Sequence, residues 1–139
     1  MIYLDAAATT LEKPVSVHGA AAQALQAMSS PGRGNYPASR LAEETAFRCR
    51  SEAAAMFGVD SPEKVIFTFN ATHGLNIAIR SLLKPGGRVI VSGYEHNAVT
   101  RPIHAIGNVS VCIVNGRLFD PEQMAEGFER ALDSSVKAV

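Results

Sequence analysis

A chain of 139 residues, 47% of them hydrophobic and 19% charged, has the composition of a globular protein and the length of one domain or part of one. Thirteen basic residues balance thirteen acidic ones, so neither a basic nucleic-acid-binding surface nor an acidic solvating tail is expected. No apolar run reaches the length of a membrane span, and residues 1–14 lack the basic-then-apolar order of a secretion signal, which points to the cytoplasm.

Residues 2–4 (IYL) are a short apolar run that reads as a strand. Pro14 suits the first turn of a helix, and Val15, Val17, Ala20, Ala21, Ala24, Leu25 and Met28 recur at helical spacing. Pro31 and Gly32 stop that helix near Ser29 and Ser30. Residues 30–39 are turn formers and read as an irregular loop. A second helix begins on Ser39 as its N-cap, sets Leu41, Thr45, Cys49, Ala53, Met56 and Phe57 on one side, and closes on Gly58. The period then becomes that of a strand over Val65, Ile66, Phe67 and Phe69.

Residues 70–74 (NATHG) open the next helix, which carries Leu75, Ala78, Ile79, Leu82 and Leu83. A turn at Lys84, Pro85, Gly86 and Gly87 leads to a strand over residues 88–92. Glu95, His96 and Asn97 follow it, and Pro102 limits the helix after them. Residues 109–114 (VSVCIV) form another strand. Asp120 caps a helix with Pro121 at its first position and Gln123 at the capping-box position. Residues 134–139 open a further strand.

Strands alternating with helices imply an α/β fold with a mostly parallel sheet flanked by helices. Cys49 and Cys112 have no metal or redox spacing and sit in apolar patterns, so both are expected to be buried, inert thiols. His18, His73, His96 and His104 are scattered, which argues against a metal centre.

Three segments could carry chemistry. The first is 70–74, where a helix N-terminus offers free N–H groups and the Thr72 hydroxyl to an anion. By spacing alone the favoured reading is that Asn70 and Thr72 merely cap the helix, since strand–cap–helix junctions are common in α/β proteins. The second is Glu95 and His96, just past the carboxyl end of a strand, where open α/β sheets bind ligands. By itself that pair could be a solvated loop. The third is 5–10 (DAAATT), whose small side chains allow close approach of a ligand or merely make a tight turn.

Together the three segments resemble the cysteine desulfurase and selenocysteine lyase family, the class V aminotransferases of the pyridoxal-phosphate fold type I. Residues 3–10 with Lys13 and Pro14 resemble its N-terminal signature. Residues 65–76 resemble its phosphate-binding strand–turn–helix, and 94–99 (YEHNAV) its Glu-His segment. The resemblance implies that Ala71, through its N–H, and Thr72 bind the phosphate of pyridoxal 5'-phosphate. It implies that His96 stacks on the pyridine ring and takes part in proton transfer, and that Ala7 and Ala8 wall the substrate pocket. It further implies an L-cysteine substrate yielding alanine and an enzyme persulfide, and a homodimer.

Two positions depart from the family pattern: Asn70 stands where glycine is usual and His73 where glutamate is frequent. Lys13, Lys64, Lys84 and Lys137 all lack the context of the family's Schiff-base lysine, and neither cysteine matches its persulfide cysteine. Residues 1–139 are therefore expected to be the incomplete N-terminal portion of one pyridoxal-phosphate-binding large domain, inactive alone. A non-catalytic fragment or binding module is the alternative, as are selenocysteine lyase, aminotransferase or epimerase activities within the family. Thr72 and His96 on different faces of the fold would contradict the family reading.

Overall fold

The computed structural model describes residues 2–139. Contacts divide it into two compact units, one ending at Ile66 and one running Phe67–Val139.

In the first unit residues 2–4 do not form the expected strand. Three residues make a strand only when a neighbour takes up their backbone groups, and here the local chain folds into a turn instead. The N–H groups of Ala8 and Thr9 donate to the Asp5 carbonyl at 3.1 and 3.3 Å. The Tyr3 hydroxyl donates to the carbonyls of Asp5 and Thr9. Helix α1 (Val15–Ala27) follows, with Pro14 as its N-cap at ψ 145°, outside the first turn, and Met28 as its C-cap.

Helix α2 (Pro37–Met56) starts two residues before Ser39, because Pro37 is pre-set for the first helical position. Ser39 is therefore not the N-cap. It is fully buried, and its hydroxyl donates to the Ser30 carbonyl at 2.9 Å, which ties down the preceding loop. Gly58 closes the helix at φ 65°, as the sequence suggests. The apolar stripe expected on α2 is not a core face. Ala42 and Ala54 are buried, whereas Leu41, Met56 and Phe57 are exposed. The described residues of this unit hold helices and turns but no sheet to lie against that stripe. Cys49 is likewise exposed, which corrects its reading as buried; Cys112, in the second unit, is half-buried, and both are free thiols.

A further correction concerns the last two residues of the first unit and the first three of the second. Residues 65–69 do not form a strand: among the described residues the sheet consists of three later segments. A β-type apolar run becomes a strand only where an edge accepts it, and neither edge of that sheet takes this one. Helix α3 (Ala71–Leu83) comes next, capped by Asn70. Strand β1 (Gly87–Ser92), helix α4 (Asn97–His104), strand β2 (Val109–Val114), helix α5 (Pro121–Ala131) and strand β3 (Val136–Ala138) complete the unit. Pro102 does not end α4 but lies inside it, two residues before its end. Asp120 caps α5 through Oδ1, which accepts the Gln123 N–H at 3.0 Å. Gln123 Oε1 accepts from the Arg117 N–H at 2.7 Å, not from the cap residue, so the expected capping box is only half formed.

The strand order is β2-β1-β3 and both pairings are parallel. The chain steps from β1 outward to β2 and then back across β1 to β3. Right-handed crossovers in opposite directions put α4 and α5 on opposite faces. Side-chain parity agrees. Val89, Val91, Val109 and Val111 pack with Leu83 and Ile79 of α3 and Ile103 and Val99 of α4. Val114 points the other way, toward α5, where a Cβ on Gly127 would lie 2.6 Å from its Cγ1. Glycine there lets the helix approach the sheet. Arg88 at the start of β1 pairs with Asp133 before β3. Hydrogen bonds from Ser135, with the charge of Arg88, hold the Asp133 carboxyl below its ordinary pKa.

Among the described residues no helix is long and apolar enough to cross a membrane, and no group of His, Cys, Asp and Glu could hold a metal ion.

Candidate functional site

Helices α3 and α4 pack against each other on one face of the sheet. A groove of about 440 Å³ runs along them, lined by Thr72, Asn76 and Arg80 of α3 and by His96, Asn97 and Arg101 at α4. Residues 72, 76 and 80 are four apart, as are 97 and 101, so each set shares one helix face. Thr72 and His96 thus border the same groove, each at the N-terminal end of its helix.

The start of α3 is open to an anion. Asn70 Oδ1 accepts the His73 N–H at 2.9 Å, and the Gly74 N–H donates to the Asn70 carbonyl at 3.1 Å. The N–H groups of Ala71 and Thr72 and the Thr72 hydroxyl have no partner among the described residues, and both residues are exposed. Two adjacent donors and a hydroxyl at the positive end of a helix dipole are suited to a phosphate. The groove below them contains two guanidinium groups and no carboxylate. Neither Arg80 nor Arg101 forms an ion pair with the described residues. This donor set fits the phosphate of pyridoxal phosphate.

His96 sits four residues past the carboxyl end of β1 and is exposed. It is the N-cap of α4, and its Nδ1 accepts the Ala98 N–H at 3.1 Å. That bond fixes the ring's direction and leaves Nε2 free, with the proton on Nε2 in the neutral ring. Glu95 is not a solvated companion. It folds back on β1, where its carboxylate accepts from the Ser92 hydroxyl at 2.7 Å. The turn beyond β1 is braced by the Tyr94 hydroxyl, which donates to the Gly116 carbonyl at 2.6 Å.

Ala7 and Ala8 lie in the exposed turn of the first unit described above. Asn76, Arg80 and Arg101 escaped the sequence reading, although their four-residue spacing from Thr72 and Asn97 was a usable signal. An apolar cavity of about 300 Å³, lined by Leu75, Ile79, Leu82 and Phe128 among others, offers little to an anion.

Residues 2–137 match the family described as Aminotransferase class-V. The chain is 36% identical over 108 residues to the cysteine desulfurase IscS of Shewanella sediminis, covering 70% of this chain and 26% of that protein. It is 37% identical over 101 residues to a probable cysteine desulfurase of Chlamydia muridarum, covering 70% of this chain and 25% of that one. With the cysteine desulfurase IscS of Escherichia coli O139:H28 it shares 36% identity over 108 residues, at 70% and 26% coverage. The chain thus spans about a quarter of the length of the curated relatives it matches. The α/β fold, the parallel sheet and the match over nearly all of its residues agree: this chain belongs to the class-V aminotransferase family.

Proposed function

We propose that this chain supplies the phosphate-binding turn and the ring-stacking histidine of a pyridoxal-phosphate site in a cysteine desulfurase that acts on L-cysteine as a homodimer. The observation that carries the reading is the shared groove: Thr72 and His96 border it together, and the donors of Ala71 and Thr72 stand unengaged at its end. The names of the relatives support the cysteine substrate.

In this reading the Ala71 and Thr72 N–H groups and the Thr72 hydroxyl bind the phosphate oxygens. His96, its direction set by the bond from Ala98, lies over the pyridine ring. Its free Nε2 is the atom able to hold or pass a proton. Ala7 and Ala8 form part of the substrate-pocket wall, where small side chains leave room. When bound, the cofactor supplies the electron sink for breaking the carbon–sulfur bond.

A second reading, binding without catalysis by this chain alone, is favoured by one feature. Lys84 and Lys137, the lysines of the second unit, do not line the groove.

The stacking role is tested by His96→Asn. Asparagine can still cap α4 but has no ring. Affinity for pyridoxal phosphate, followed by absorbance, is expected to fall about fivefold to tenfold, in keeping with the loss of one aromatic stack. Affinity for inorganic phosphate is expected to change less than about twofold. Equal losses for both ligands, or none for either, would refute the stacking role.

A further inference from the structure

Three contacts at the start of α3 converge on one residue, His73. The His73 N–H donates to Asn70 Oδ1 at 2.9 Å. The Phe69 N–H donates to His73 Nδ1 at 3.4 Å. The His73 ring stacks on Phe69, with centroids 5.1 Å apart and planes 17° from parallel. This is the reciprocal logic of a capping box, in which the cap residue bonds the third residue's N–H and that residue's side chain reaches back. Here an imidazole replaces the usual Glu or Gln, and the return bond lands one residue before the cap.

We propose that His73 is a positioning residue for the anion-binding turn, holding residues 69–72 so that the Ala71 and Thr72 N–H groups converge on one anion. Residues 65–69 lie outside the sheet, so no ladder sets the direction from which the chain enters the helix. Phe69 is 92% exposed, so the ring stack adds nothing to a core and acts locally. Asn70 Oδ1 satisfies one N–H and the Thr68 hydroxyl donates to the Asn70 carbonyl at 3.0 Å, but neither engages the Phe69 N–H. His73 holds that N–H from the helix side. Asn70 and His73, the two departures from the family pattern, thus work as one unit. The bond from Phe69 requires a lone pair on Nδ1, so His73 carries its proton on Nε2.

The inference rests on the reading of this turn as phosphate-binding, and its test separates the two. The full chain, labelled with ¹⁵N, is titrated with inorganic phosphate. Exchange of the Phe69 amide and the ¹⁵N state of the His73 ring are read from the same samples. The expected result has several parts. His73 Nδ1 has the shift of an unprotonated nitrogen. His73→Ala speeds Phe69 exchange and weakens phosphate binding about fivefold to tenfold, less than the full loss of one hydrogen bond to a charged group, because the donors are misaimed and not removed. His73→Gln, which keeps an acceptor, restores both to within about threefold. Wild-type exchange and affinity in His73→Ala, or a proton on Nδ1, would overturn the proposal. If the wild-type chain binds no phosphate, the phosphate reading fails. Phe69 exchange and the Nδ1 state then decide the positioning role on their own.

Discussion

Replacing Ile90 by alanine is expected to destabilise the second unit by about 3 kcal/mol, the middle of the range for emptying a buried aliphatic site. Ile90 is the central residue of the central strand and has no exposed surface. Its register partner on β2 is Cys112. By parity both point away from the face that holds Val89 and Val91, toward the side covered by α5. The removed methylenes would leave a cavity that neighbouring strands and helix cannot easily fill. Against a total stability of roughly 5–15 kcal/mol, such a loss is large. Ile113→Ala is the control: that residue is 56% exposed at the end of β2, and its truncation should cost less than about 1 kcal/mol. Urea unfolding of both variants measures the difference. Equal and small effects would mean that α5 does not seal its face of the sheet.

Ala71→Pro is expected to weaken binding of a phosphate ester about tenfold or more while leaving the fold intact. Proline is favoured at the first helical position, where its missing N–H breaks no helical bond. The residue before proline must be extended, and Asn70 already is, at φ −168° and ψ 175°. The substitution therefore removes one donor and little else. A hydrogen bond to a charged group contributes about 1.5–3 kcal/mol, which sets the expected loss. Calorimetric titration with pyridoxal phosphate, beside a thermal melt, separates affinity from stability. Unchanged affinity in a folded variant would remove the Ala71 N–H from the site.

The segments legible from the sequence were those whose signals are local or whose neighbours are present. Strands β1 and β2 and the helix starts at Asn70 and Asp120 follow from period and caps, and β3 from its apolar opening. Residues 2–4 and 65–69 carry the same β-type pattern but form no strand, because pairing is supplied by other parts of the chain and not by the run itself. The start of α2 was misplaced for a different reason: Pro37 outweighs Ser39 as a helix-start signal, and burial gave Ser39 another task. Cys49 sits in an apolar pattern on α2, yet the first unit has no sheet to bury it.

The positions of Thr72 and His96 at helix starts were readable because each follows a β-type run. Their sharing of one groove depends on how α3 and α4 pack, which no linear pattern states. The bond from Ser92 to Glu95 and the stack of Phe69 on His73 depend on side-chain direction at turns, which spacing does not encode.

Under the proposed function, this chain presents a phosphate-specific half of a pyridoxal-phosphate site. The most direct test compares binding of pyridoxal phosphate and of pyridoxal to the full chain, followed by borohydride reduction and intact mass. Binding of the phosphate ester at least about tenfold tighter than pyridoxal, with no single lysine consistently modified, is the predicted result. Equal binding of the two compounds would refute the proposed function, since the phosphate would then find no site at the start of α3.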